Sequence, residues 1–365
     1  MLMEALDTPA MVVDLHRMEA NLRKVADYAR AHNLRLRPHT KTHKSAWIAR
    51  RQLELGAAGL TVAKIGEAEA LLPQLLDLLP LDLLIAFPVI GEAKLARLMN
   101  IARLTTVTVA LDSEGSAQQL SRVAHAANVS IGILVEVDVG MGRVGVAPAD
   151  AMRLIKAVTA LPNLAWRGIT CYPGHIKNAV TEAETFAAVR NTLSDLVRDC
   201  RAAGLEPELI SGGSTPTLFH SHECGPLNEI RPGTYVFEDL NTVETGACSL
   251  DDCAASVMAT VISVAPGRMV IDGGSKTFSS DRPAGDRSST FGRVVEAPGC
   301  AFHRMNEEHG FINTEQAERS FQVGDRVRIV PNHVCVAMNL HERVYGVDGD
   351  RVAKAWTVDA RGKLT

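Results

Sequence analysis

Four short stretches of the chain gather side chains that could do chemistry. The first, RPHTKTHK (Arg37–Lys44), packs Arg37, His39, His43 and two lysines together. A lysine at the end of a barrel strand can form a Schiff base with an aldehyde cofactor if part of its population stays neutral, and neighbouring cations favour that. The same residues also suit a basic, solvated turn. The second, DVGMGRVGV (Asp138–Val146), spaces Gly140, Gly142 and Gly145 so that the backbone can turn sharply and approach a ligand, with Arg143 as a fixed cation. A tight turn in which Arg143 merely pairs with Asp138 is the alternative. The third comprises ISGGSTPT (Ile210–Thr217) and RPGTYVF (Arg231–Phe237), whose backbone N–H groups and the Ser214, Thr215 and Thr234 hydroxyls could cradle a phosphate. A nucleotide P-loop is excluded, because GxxxxGK[ST] does not occur. The fourth is PNHVC (Pro331–Cys335), where an expected strand would set His333 and Cys335 on one face. An imidazole nitrogen and a thiolate favour zinc over magnesium or calcium, and two ligands leave an open, catalytic kind of site. A buried cysteine beside an ordinary histidine is the plainer reading.

Elements must position these residues. Apolar, β-prone runs recur at 11–15, 60–63, 83–87, 107–111, 131–138, 166–172 and 208–211. Helix-like stretches lie between them at 17–32, 44–55, 67–76, 92–103, 116–127, 148–160 and 182–203. Strand then helix, repeated, predicts a parallel sheet, and eight such units would close as a (β/α)8 barrel, an open doubly wound sheet being the alternative. After about Thr245 the texture becomes short β-rich runs divided by Gly, Pro and Asp, which predicts a mostly antiparallel β domain. The expected division is 8–244 for the barrel and 245–365, with residues 1–7, for the β domain.

Composition agrees with two such parts. The chain has 365 residues, 46% hydrophobic and 22% charged, an ordinary globular balance. Aromatics are only 4%, so the core is expected to be Ala, Val, Leu and Ile. A net charge of -4 advertises no nucleic-acid or anionic-membrane surface. The apolar runs are too short to span a bilayer, and no secretory signal is visible at the first residues. Seven scattered cysteines without a CxxC pair point to a reducing cytoplasm.

Taken in order, LDTPAMVVDL, RPHTKTHK, GEAEAL, EVDVGMGRVGV, SGGSTPT, RPGTYVF, EEHG, PNHVC and VDARGK give the chain, from about Leu6 to Gly362, the look of one family. It resembles the D-threonine aldolase and D-serine dehydratase group, pyridoxal-phosphate enzymes of the alanine-racemase-like fold (fold type III). The resemblance implies that Lys41 is the Schiff-base lysine and that Arg143 contacts the cofactor on its ring side. Gly213, Ser214, Thr215, Gly233, Thr234 and Tyr235 would hold the phosphate, and His333 and Cys335 a divalent metal, zinc or else manganese or magnesium. CYPGHIKN (Cys171–Asn178) aligns with a segment of cofactor contacts and an acid/base group, which makes Tyr172 a cofactor contact and His175 a candidate base. His309 lies in a matching segment without an assigned role.

The reaction the resemblance implies is retro-aldol cleavage of a β-hydroxy-D-amino acid to glycine and an aldehyde. GSTPT and the His-x-Cys pair look dehydratase-like, whereas DVGMGRVGV, NLHER and VDARGK look aldolase-like, so β-elimination to a 2-oxo acid and ammonia is the alternative. A racemase and a non-catalytic pyridoxal-phosphate-binding protein fit less well: the metal pair argues against the first, the extra β domain against the second. The implied partners are a small D-amino acid and a second copy of the chain in a homodimer, with no nucleic acid and no membrane.

Overall fold

A computed structural model describes residues 1–282 and 290–365. The chain forms two compact units. One comprises Val25–Lys41, Ser45–Gly233 and Gly362–Thr365, the other Met1–Lys24, Thr42–Lys44 and Thr234–Arg361.

The first unit is built on eight parallel strands: Arg35–Leu36, Leu60–Val62, Asp82–Ile85, Thr106–Leu111, Ile131–Glu136, Leu164–Thr170, Leu209–Gly212 and Glu229–Ile230. The last pairs with the first, and a parallel bridge between His39 and Thr61 joins the remaining ends, so the sheet closes as the expected barrel. Helices lie between the strands and show the period that burial on one face requires. In Pro148–Thr159 the buried positions are Ala151, Leu154, Ile155 and Val158. Glu114–Ala127 starts at Ser113, whose hydroxyl accepts from the Ser116 N–H at 3.4 Å.

Strand alternation separates two cores. Leu83, Ile85, Val107, Val109, Leu111, Ile131, Ile133, Val135 and Ile210 pack into the large aliphatic cluster that also takes in the helix faces. Leu84, Leu134 and Leu209, their alternates, form a small cluster of their own. The positions in register with that smaller cluster also carry ions. Arg37, 1% exposed, donates to Glu229 at 2.9 Å and to Asp82 at 2.8 Å. Arg167 donates to Asp82 at 3.0 Å, to the Thr108 hydroxyl at 2.9 Å and to Glu208 at 2.6 Å. The expectation of a wholly aliphatic core therefore holds for the layer between strands and helices only.

Among the described residues the second unit is a mixed, mostly antiparallel sheet of nine strands. In spatial order they are Arg268–Ile271, Gly310–Asn313, Ala301–Met305, Gly292–Val294, Arg326–Pro331, Ala255–Ala265, Ala10–Asp14, Arg343–Asp348 and Arg351–Thr357. Ala255–Ala265 also pairs with Arg268–Ile271, which closes part of the sheet on itself. The run at 11–15, read from sequence as a barrel strand, belongs here: Ala10–Asp14 pairs antiparallel with Ala255–Ala265 and parallel with Arg343–Asp348. Its composition suits either sheet, and only the distant partners decide. The barrel instead starts from the two-residue strand Arg35–Leu36, too short to show a period. Among the described residues no helix is long and apolar enough to cross a membrane.

Glu229, fully buried, also accepts from the Ser211 hydroxyl at 2.7 Å. Removing its charge leaves the buried Arg37 with Asp82 as its one ionic partner, so Glu229→Gln should cost about 3–5 kcal/mol. Urea unfolding of the variant measures this; a loss below about 1 kcal/mol would contradict the structural role.

Candidate functional site

In the barrel unit the candidate residues all follow the C-terminal ends of strands, the face that barrel enzymes use. Lys41 lies five residues past Leu36, Arg143 seven past Glu136, Tyr172 two past Thr170, Gly213 one past Gly212 and Gly233 three past Ile230. From Leu36 to Ala46 every residue is buried except Lys41, which is exposed. Its neighbours have other tasks. Arg37 is neutralised by Glu229 and Asp82, and His39 and Thr40 bind the Thr61 strand, the Thr40 N–H donating to the Thr61 carbonyl at 2.8 Å. Arg37 is thus not the free neighbouring cation that the sequence suggested for the lysine.

The Lys41 ammonium lies 6.0 Å from the centre of the Tyr172 ring, and the Arg143 guanidinium lies over the same ring at 4.8 Å. The loop carrying Arg143 is organised by Asp138, whose carboxylate accepts from the Gly140 N–H at 2.9 Å and the Gly142 N–H at 3.1 Å. Those bonds hold the Asp138 carboxyl below its usual range. Asp138 is therefore occupied by the loop backbone and Arg143 by Tyr172. Gly145 has φ +112°, and a Cβ there would lie 2.5 Å from the Asp138 nitrogen, so the loop closes only with glycine. His175 packs on the same loop: a Cβ at Gly140 would lie 3.2 Å from its Nε2, and its Nδ1 is buried without a hydrogen-bond partner. Lys177 is exposed, and its ammonium donates to the Gly174 carbonyl at 2.8 Å.

Gly213, at φ +82°, turns the chain into the 3₁₀ helix Thr215–Glu223. Ser214 and Thr215 are buried there, and the Ser214 and Thr217 hydroxyls lie 3.1 Å apart. Such a turn, with hydroxyls at a helical N-terminus, suits an oxyanion. An exposed lysine, a flanking aromatic ring, a guanidinium and this turn together fit a phosphorylated aldehyde.

Two charged residues at this face were missed from sequence. Glu136 ends its strand with the carboxyl buried, and burial pushes its pKa up against the opposing charges of Arg231 and Arg143. Arg231 donates to the Thr170 hydroxyl at 2.7 Å, the Ser211 hydroxyl at 2.6 Å and the Cys171 carbonyl at 3.2 Å. Burial pulls its pKa down. The alternation of Ile131–Glu136 signals the inward position of Glu136; nothing local signals Arg231 beyond its place before Pro232 and Gly233.

In the β-rich unit the strand expected to carry His333 and Cys335 stops at Pro331. His333 is the N-cap of the helix Val334–Leu340, and Cys335 lies in its first turn. This corrects the strand reading. Val334, Ala337 and Met338 are the buried positions, a helical spacing that the β-branched valines obscure. Cys335 Sγ lies 3.2 Å from the Thr42 hydroxyl and 3.7 Å from that of Thr234. His333 Nδ1 lies 3.3 Å from Asp281 Oδ2. The hydrogen bond with Cys335 raises the His333 pKa to about 9. Burial would raise the Cys335 thiol, but the bond and charge of His333 outweigh it, and the thiol lies below its ordinary value. A cysteine sulfur and an imidazole two residues apart form a donor set that fits a divalent cation. Among the described residues no set of three or more His, Cys, Asp and Glu side chains is placed to hold a metal. Thr234 and Tyr235 fall in the turn Thr234–Val236, and Tyr235 is buried. His309 is exposed between the strands Ala301–Met305 and Gly310–Asn313.

These environments order the thiols. Burial pushes Cys171 up to about 12 and Cys200 and Cys224 up to about 11, while Cys335 is lowered. In chelator-treated protein at pH 7, iodoacetamide should alkylate Cys335 before those three, and His333→Ala should slow it by about tenfold or more. Peptide mapping reads the order; modification of Cys335 no faster than Cys224 would refute the ion pair.

Residues 13–240 match the family model for the alanine racemase N-terminal domain, and residues 254–347 match that for a putative serine dehydratase domain. The D-threonine aldolase of Arthrobacter sp. is 34% identical over 98% of this chain and 93% of its own length. The crystal structure of D-threonine aldolase from Filomicrobium marinum superposes with a TM-score of 0.90 at 33% identity, covering 99% of this chain and 98% of that one. A cysteine-to-alanine variant of D-threo-3-hydroxyaspartate dehydratase, in a metal-free form, superposes with a TM-score of 0.86 at 28% identity, covering 98% of each chain. With a closed parallel barrel, a β-rich second unit and the motifs in the same order, the chain belongs to the D-threonine aldolase and D-serine dehydratase-like family of the alanine-racemase-like fold.

Proposed function

We propose that the protein is a metal-assisted, pyridoxal-phosphate-dependent lyase that cleaves β-hydroxy-D-amino acids to glycine and an aldehyde. The observation that carries this reading is Lys41, the one exposed side chain of a buried segment, set beside Tyr172 and Arg143. Pyridoxal phosphate, when bound, supplies an aldehyde for the Lys41 amine and a ring that takes up the electron pair released at the substrate's α-carbon. A divalent cation at His333 and Cys335 supplies Lewis-acid charge to the substrate's β-hydroxyl, and the thiolate favours zinc.

The chain's own residues do the rest. Lys41 would hold the cofactor's aldehyde and, as an amine, would carry a proton to the substrate's α-carbon. Tyr172 and Arg143 orient the ring, and Gly213, Ser214, Thr215 and Gly233, with Thr234 and Tyr235 next along the chain, take the phosphate. His175 Nε2 accepts the β-hydroxyl proton as the Cα–Cβ bond breaks. The reading includes a homodimer and a reducing cytoplasm, in keeping with seven free cysteines.

One observation favours a second reaction. The His-x-Cys pair and the GSTPT turn resemble those of dehydratases, in which Lys41 would take the α-proton and hydroxide would leave. Similarity over the whole chain to D-threonine aldolases supports retro-aldol cleavage first. Incubation with D-threonine decides between them: glycine and acetaldehyde are expected, whereas 2-oxobutanoate and ammonia would reverse the assignment. Borohydride should fix the cofactor on Lys41, and Lys41→Ala should lose both label and turnover while keeping the wild-type Tm; a label elsewhere refutes the site.

Metal uptake should depend on pH. The His333 pKa is raised, so its proton persists through neutrality and leaves only as pH passes about 9. The Cys335 thiol lies below its ordinary value. A cation displaces the His333 proton, so its apparent affinity should rise at least about tenfold per pH unit from 7 towards 9. Zinc titration at three pH values measures this, and a flat profile would exclude His333 as a ligand.

A further inference from the structure

We infer that Asp239 is a positioning residue that sets the geometry of the His333 and Cys335 pair; the inference rests on the proposed metal reading. Asp239 is 1% exposed, and its two carboxylate oxygens serve two helices. Oδ1 accepts from the Thr242 N–H at 3.0 Å and caps the helix Leu240–Glu244. Oδ2 accepts from the Val334 N–H at 2.9 Å and caps the helix Val334–Leu340. Val334 is the residue between the two candidate ligands. Fixing its N–H fixes the peptide from which His333 leaves on one side, and one residue further on Cys335 leaves on the other.

Asp239 is itself held from behind. Its N–H donates to the Thr242 hydroxyl at 2.9 Å, and that hydroxyl donates to the Asp239 carbonyl at 2.8 Å. The preceding residue, Glu238, takes a left-handed φ of +53°, which a side chain adopts only where its surroundings impose it. The Glu238 N–H closes back on the Thr234 carbonyl at 2.8 Å, so Asp239 is joined through one turn to the RPGTYVF segment. A second tie runs parallel to the carboxylate: the Asn241 N–H donates to the Asn332 carbonyl at 3.1 Å. Val334 is thus tied to a rigid turn that also carries Thr234, a neighbour of Cys335.

The chemistry needs a carboxylate. Both oxygens accept from backbone N–H groups, and an amide offers one acceptor and one NH2. Asp239→Asn therefore loses one cap and sets a donor against an N–H. Groups behind metal ligands typically carry about tenfold to hundredfold in affinity.

The test is zinc affinity, read by competition with a chromophoric chelator on full-length, metal-stripped protein carrying its pyridoxal phosphate. D239N should weaken zinc about tenfold to hundredfold. Ser113→Ala, which removes a helix cap in the barrel unit, should lower Tm while leaving zinc affinity within about twofold. His333→Ala separates the two claims. If it binds zinc as tightly as the wild type, the metal reading fails. If it loses zinc while D239N stays within twofold of wild type, or if S113A weakens zinc as much as D239N, the positioning role fails. Should D239N not fold, D239S, which keeps one capping oxygen without charge, is read by the same criteria.

Discussion

The buried pairing of Arg37 with Glu229 and Asp82 is the interaction on which the barrel unit depends. An ion in a barrel interior is costly unless several partners neutralise it. Here the partners come from the strands at 229–230 and 82–85, so one guanidinium ties three strand segments together. Two of the eight strands are only two residues long and contribute little ladder. The ion network supplies at those positions what backbone pairing cannot. It also sets the course of the next residues, because Pro38, His39 and Thr40 run along Thr61 before the chain reaches Lys41.

Charge in this molecule sorts by whether it is already answered. Arg37, Arg167 and Asp82 answer one another, and Asp138 is answered by backbone N–H groups. Arg231 meets hydroxyls and a carbonyl instead, with Glu136 near enough to matter electrostatically. Arg143 has a ring face. Cations that meet neutral partners directly, at the C-terminal ends of barrel strands, are where a bound ligand can complete the balance. In the β-rich unit His333 and Cys335 are hydrogen-bonded to each other, and a cation can take the place of that bond.

Much of this was legible in the sequence because it is local. The helix Pro148–Thr159 and the strand Ile131–Glu136 announce themselves by period, and the glycines around Arg143 by their spacing. What was not legible depended on distant partners. Ala10–Asp14 reads as a buried strand in any sheet, and its register is fixed by Ala255–Ala265 and Arg343–Asp348. The helix at Val334 was hidden because its cap, Asp239, lies about a hundred residues earlier and its valines imitate a strand. Arg37 looked like a cation beside the reactive lysine, and only Glu229 reveals its structural use.

Lys41 owes its position to this division of labour. Arg37, His39 and Thr40 before it are bound to barrel partners. Each of these neighbours has its own reason to stay, so the backbone leading to Lys41 is held while its side chain stands exposed. An exposed amine on a fixed backbone loses little conformational freedom when it reacts. The same arrangement explains why one lysine can be reactive where Lys44, three residues on, is buried and bonded to Asn339 at 2.8 Å. A deletion anywhere between Arg37 and Thr40 would break one of these ties and shift the amine by a residue's length, which makes spacing, more than composition, the chemical content of the segment.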